Sequence, residues 1–175
     1  LDESDMKPVN IHEGIDSTLL ILDNRMKSKG KDSGIEIVKE YGNLPKLECY
    51  PGQLNQVFMN IIANSIDALE GKSKPRIIKI TTQLNSEKPE IESNLEYATI
   101  YIQDNGSGIK ENLINQVFDP FFTTKPVGKG TGLGLSVSYQ IIVEKHNGIL
   151  KCTSQLGKGT EFTIQIPTKA LKALK

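Results

Sequence analysis

The sequence predicts an α/β (α+β) domain, and three observations carry that prediction. Two long stretches place apolar residues at helical spacing: Ile11, Ile15, Leu19, Leu22 and Met26 in 11–29, and Leu54, Val57, Phe58, Ile61, Ile62, Ile66 and Leu69 in 51–69. Shorter stretches at 35–41, 47–50, 77–84, 97–103, 149–154 and 161–166 have the composition and length of strands. A glycine-dense run, DPFFTTKPVGKGTGLGL at 119–135, leads directly into a further helical stretch at 133–146.

Each element has its punctuation. Gly30 ends the first helix, while Pro51 opens the second and Gly71 closes it. Residues 109–117 read as helical, so the Asn-Gly before them does not return as a hairpin. His146-Asn147-Gly148 ends the helix after the glycine run, with His146 favoured there by the helix dipole. The last two strands are joined by a glycine-rich hairpin at 156–160. Residues 1–10 are polar and expected to be poorly fixed, 85–96 is a solvated charged loop, and the terminal KALKALK is a frayed end. The expected division is a helical linker segment at 1–30, the principal domain at 31–168 and a tail at 169–175.

With 175 residues the chain can bury a substantial core as one domain. Lys+Arg and Asp+Glu balance at 21 each, so no net field recruits nucleic acid or an anionic membrane. Cys49 and Cys152 form no metal or disulfide motif, which fits two buried thiols in a reducing, cytoplasmic setting. No apolar run is long enough to span a bilayer, and no direct membrane contact is expected of this segment. The first residue is leucine and no leader is visible, so a longer parent is expected, soluble or membrane-anchored.

The glycine run is the chemical centre. Gly128, Gly130, Gly132 and Gly134 alternate, with Lys125 and Lys129 in or before them. Glycines let backbone N–H groups turn towards an anion, and the following helix offers an N-terminus that suits phosphate. The spacing is not that of a P-loop, because Lys129 is followed by Gly130 rather than Ser or Thr. Neither is it a dinucleotide turn, which follows a strand directly, and the eukaryotic kinase signatures are absent.

Two further groups converge on it. Asn60, Asn64 and Asp67 lie at spacings of four and three on the polar face of the second long helix. Asp104 ends a strand and is followed by Asn105-Gly106-Ser107-Gly108, a carboxylate able to accept from an amine beside glycines that admit a flat ring.

In order, Asn60 to Ala68 (NIIANSIDA), DNGSGI, FDPFFTTK with GKGTGLGL, and GKGTEF resemble the catalytic ATP-binding domain of bacterial two-component sensor histidine kinases, in their nitrogen-regulatory-like type. The resemblance spans about 51–167. It implies the two-layer sandwich of a mixed β-sheet and helices, the Bergerat-type ATP-binding fold with a flexible ATP lid, shared with gyrase, the heat-shock chaperone ATPase and mismatch-repair ATPases. It implies ATP and Mg²⁺, with Asn64 as the metal ligand and Asn60 beside metal and phosphates. Asp104 would read the adenine amine, with Gly106 and Gly108 in close approach. Gly130, Gly132 and Gly134 would wrap the phosphates with Lys125 or Lys129, and Phe118, Phe121 and Phe122 would hinge the lid. Ile109, Thr131, Leu133 and Thr160 complete the implied ATP-binding set. The lid, about 119–131, is expected to be mobile without nucleotide.

Two positions depart from the commoner pattern. Asp67 stands where many of these kinases carry Lys or Arg, so a phosphate-facing cation must come from the lid or be absent; Asp67 could instead hold a metal-bound water. Tyr50 stands where an acidic helix cap is frequent.

The resemblance also frames the reaction. Hydrolysing relatives place glutamate at the position of Asn60 as general base, and an amide cannot take a proton. A neutral imidazole needs no such base to be phosphorylated. His12-Glu13 lacks the downstream proline and basic residue of a phosphoacceptor box, continuing Gly14-Ile15-Asp16-Ser17, so His12 reads as a solvent-facing helix residue. The acceptor is then expected on the parent's own dimerisation domain, upstream, with a response-regulator receiver domain downstream in the relay. A gated ATPase of the same fold and a catalytically silent nucleotide-sensing module are the alternatives.

Overall fold

The computed structural model describes residues 5–27, 34–86, 95–125 and 132–170. Along the chain run β1 (Lys7–Val9), α1 (Ile11–Ile21), α2 (Asp23–Met26), β2 (Glu36–Tyr41), β3 (Leu47–Cys49), α3 (Pro51–Leu69), β4 (Ile77–Ser86), β5 (Glu96–Asp104), α4 (Glu111–Ile114), α5 (Gly134–Tyr139), β6 (Ile149–Gln155) and β7 (Gly159–Pro167). A π-helical segment, Gln140–Lys145, continues α5 and buries the adjacent Ile141 and Ile142.

Five strands form one mixed sheet in the order β2-β4-β5-β7-β6. Only β2 and β4 are parallel, and a parallel pair needs a crossover, which α3 supplies. Period-two alternation buries Ile78, Ile80, Ala98, Ile100, Ile102, Phe162, Ile164 and Ile166 on the face towards the helices. Lys79, Gln83 and Gln103 alternate with them on the far side. Helices on one face and polar residues on the other make the expected two-layer sandwich.

Helix α3 is the spine of the helical layer. Leu54, Val57, Phe58, Ile61, Ile62, Ile66 and Leu69 are all buried on one stripe, each worth about 1.5–3 kcal/mol of burial. Its polar stripe is thereby fixed outward, at the edge where the glycine loops arrive.

Several expectations change. Residues 7–9 are a strand: β1 pairs antiparallel with β3, Lys7 opposite Cys49, and the Asn10 side chain accepts from the His12 N–H at 3.0 Å to cap α1. The first helix breaks at Leu22, leaving α2 as a single turn that still buries Met26; its expected end, 28–30, lies outside the described residues. In 109–117 only α4 is helical, and it buries no residue, so no amphipathic face sustains a longer helix. Cys152 is only partly buried, whereas Cys49 is buried.

Both histidines are engaged inside the fold. His12 is partly buried rather than wholly solvent-facing: its ring stacks on Tyr41 with centroids 4.2 Å apart, and its Nε2 pairs with the Thr82 hydroxyl at 2.7 Å. His146 is 4% exposed, its Nδ1 pairs with the Ile141 carbonyl at 2.8 Å, and its Nε2 accepts from the Tyr50 N–H at 3.1 Å. Tyr50 contributes no side-chain cap to α3.

Candidate functional site

Asp104 closes β5 with its side chain on the helix side, opposite Ile78 and Thr160 and 3% exposed. The Gly106 N–H donates to its carboxylate at 2.8 Å. Burial lifts the carboxyl above its ordinary range; the N–H groups of Gly106 and Thr160, the Ser65 hydroxyl and the charge of Lys72 oppose that rise.

The loop after Asp104 is held by the protein's own backbone. A Cβ on Gly106 would meet the Ala68 carbonyl oxygen at 2.5 Å, and one on Gly108, at φ 74°, would run into the Gln155 carbonyl. Asn105 accepts from the Ile77 N–H and donates to the Pro75 carbonyl, both at 2.8 Å. The Ile109 N–H donates to the Ser154 hydroxyl at 2.8 Å, and Ser154 in turn pairs with the Thr160 hydroxyl at 2.8 Å. Close backbone packing is thus the visible use of these two glycines, and Asp104 is presented on a rigid edge.

Asn60 faces the start of α5. Its Nδ2 donates to the Gly134 carbonyl at 2.9 Å and to the Ser138 hydroxyl at 3.2 Å, while its Oδ1 accepts from Gln56 at 2.9 Å. Asn64 stands one turn further along α3 and is half-buried. Asp67 ends the row, taking Arg25 on Oδ1 at 2.5 Å and Lys125 on Oδ2. The N-cap position of α5 is Leu133, whose side chain makes no capping bond.

The lid's two roots are stapled where they meet. The Phe121 N–H donates to the Gly132 carbonyl at 2.8 Å, and Gly132 has φ 69° with Phe121 backbone where a Cβ would stand. Phe118 packs inward, 5.5 Å from Tyr139 and 6.3 Å from Phe162 between ring centroids. Phe121, expected in that aromatic group, is 74% exposed and acts through its backbone instead. Gly128, Lys129, Gly130 and Thr131 lie outside the described residues.

Residues 49–170 match the family described as histidine kinase-, DNA gyrase B-, and HSP90-like ATPase. The chain belongs to that family. It is similar to the sensor kinase CckA of Brucella abortus, 36% identical over 162 residues that cover 89% of this chain and 17% of that protein. It is likewise similar to the sensory histidine kinase/phosphatase NtrB of Rhizobium leguminosarum bv. phaseoli, 32% identical over 168 residues, 91% of this chain and 41% of that one. The catalytic domain of histidine kinase ThkA, in a nucleotide free form, superposes with a TM-score of 0.74 at 26% identity, covering 94% of this chain and 97% of that structure. The chain spans less than half the length of the curated relatives it matches.

Membership in this ATPase family implies that the domain binds ATP. The buried, backbone-braced Asp104 carboxylate is able to accept from an amine. A cleft of about 900 Å³ runs along β6, lined by Ile109, Glu111, Ile114, Cys152 and Leu156, and shares only Ile109 with the expected ATP-binding set. Burial, and then the nearby Asp104 charge, push the Cys152 thiol there up to about 12. Sequence reading missed Arg25, Gln56, Asn105, Ser138 and Ser154. Asn105, inside the DNG motif, carried a signal; the others act through partners distant in sequence or hidden by helical phase.

Proposed function

We propose that this domain binds Mg-ATP and donates the γ-phosphate to a histidine on a dimerisation domain outside this chain, as the catalytic part of a two-component sensor histidine kinase. The observation that carries the reading is the state of the chain's own candidates. Both of its histidines are engaged in the fold, and position 60, where hydrolysing relatives hold a base, carries an amide bound to Gly134 and Ser138. The domain therefore has a nucleotide site but neither an acceptor nor a water-activating carboxylate at Asn60.

Each residue then has a task. Asp104 accepts from the adenine amine and orients the ring, with Thr160 and Ile109 lining the same end. Asn60 and the first turn of α5 hold the phosphate end, and Lys125 contributes charge. Asn64 would offer its amide oxygen to Mg²⁺, a hard cation that favours oxygen ligands, with Asn60 beside it. Among the described residues no group of three His, Cys, Asp or Glu forms a competing metal site. When bound, the ion neutralises charge on the transferring phosphoryl group. The acceptor imidazole attacks the γ-phosphorus, the bond to the β–γ bridging oxygen breaks, and ADP leaves.

A response-regulator receiver domain is the onward partner in this reading, and a cytoplasmic face is its setting. Among the described residues no helix is long and apolar enough to cross a membrane. With labelled ATP and a separately supplied phosphoacceptor region, the wild type should label that region and Asn64→Ala should not. Equal labelling by both would contradict the assignment of Asn64.

A further inference from the structure

Asp67 occupies a position where the resemblance leads one to expect a cation, and a lone carboxylate there would repel phosphate. It is not alone. Its two oxygens are taken by Arg25, from α2, and by Lys125, from the root of the lid. One carboxylate and two cations sum to a single positive charge, the charge one lysine or arginine would bring. The carboxylate side chain is 23% exposed, whereas those of Arg25 and Lys125 are 47% and 36% exposed. The negative group is the more covered one, and the cations keep open sides.

We infer that Asp67 is a positioning residue that holds Arg25 and Lys125 beside α3, and that these two cations together contact the β- and γ-phosphates of ATP. The inference rests on the nucleotide reading above and assigns the charge that reading leaves open. Guanidinium has five N–H donors and ammonium three, so each cation can keep Asp67 and still reach a phosphate oxygen. Fixing two long side chains before the ligand arrives removes part of the ordering cost of binding. A carboxylate that merely competed with phosphate for Lys125 would have the opposite effect on affinity.

Calorimetric titration with Mg-ATP and with AMP separates these cases. Arg25→Gln, Lys125→Gln and Asp67→Asn should each lower ATP affinity roughly five- to tenfold. AMP affinity should stay unchanged in all three, which also reports an intact fold. Asp67→Glu should keep ATP affinity near the wild type. An unchanged or raised ATP affinity in Asp67→Asn would overturn the inference while leaving the nucleotide reading standing. A wild type that binds neither AMP nor ATP would sink that reading, and this inference with it.

Discussion

Asn60 on α3 and Gly134 at the start of α5 are joined by a 2.9 Å hydrogen bond from amide nitrogen to carbonyl oxygen. The bond ties the asparagine face to the helix that follows the glycine run. It also commits the Asn60 nitrogen inside the protein, while Gln56 occupies one side of its oxygen.

Replacing that amide by a carboxylate should therefore have two effects. Asn60→Glu supplies a candidate base and should raise ATP hydrolysis above the parent rate. It also removes the donor to Gly134, leaving acceptors facing each other at a cost of about 1–3 kcal/mol in stability. Phosphate release and thermal unfolding, measured on the same preparation, should move in those opposite senses. No gain in phosphate release would mean position 60 is not where water would be activated.

Asp104 should trade stability for recognition. If Asp104 accepts from the adenine amine as proposed, Asp104→Ala should weaken ATP binding by about 1.5–3 kcal/mol, roughly 10- to 150-fold. Burial raises the folded-state pKa of this carboxyl, so the native state holds its proton to higher pH than the unfolded chain. The resulting cost is absent at low pH and appears as pH rises through the unfolded value near ~3.9 towards the higher folded one. Asp104→Asn should thus raise the melting temperature of the nucleotide-free chain at neutral pH, with the gain shrinking towards pH ~4. A melting temperature lowered at neutral pH would contradict the sign.

How far the sequence foretold this depends on where each partner lies. Helix α3 was legible to the residue, because Pro51, Gly71 and an unbroken apolar stripe are all local signals. Strand β1 was not: it has three residues, includes Pro8, and exists only through pairing with β3 some forty residues on. Asn60, Asn64, Asp67 and Asp104 were legible as chemistry, and the fold brings them to one edge of the helical layer. The partners of Asp67 were not, since Arg25 is 42 residues away and nothing in its own surroundings marks it. Gly106 and Gly108 were noticed for the space they leave for a ring; what sequence did not show is that their Cβ positions face the Ala68 and Gln155 backbone. Sequence spacing reports residue type and face; it does not report which atom on another element closes the contact.

His12 should make the fold acid-sensitive. Burial against Tyr41 lowers its pKa, a fall that the Asp16 charge partly opposes, while Thr82 and Lys39 complete the cluster. A depressed folded value means that the stability contributed by the neutral ring is present above the unfolded value near ~6.5 and is lost as pH falls through it. His12→Phe keeps an aromatic ring on Tyr41 but cannot take the proton. Its melting temperature should therefore fall less than the wild type's between pH 7.5 and pH 5.5 (chosen to bracket ~6.5), and an equal fall in both would remove His12 as a cause.

On the proposed function, this chain holds the nucleotide half of a phosphotransfer and no more. The most direct measurement incubates the purified chain with γ-labelled ATP, first alone and then with a separately supplied dimerisation region. Label is followed in released phosphate and in acid-labile protein phosphate. ATP should be bound but scarcely consumed by the chain alone, with no label on His12 or His146 and with label on the added region once it is present. Rapid phosphate release by the unmodified chain, or stable label on either of its own histidines, would contradict the proposed function.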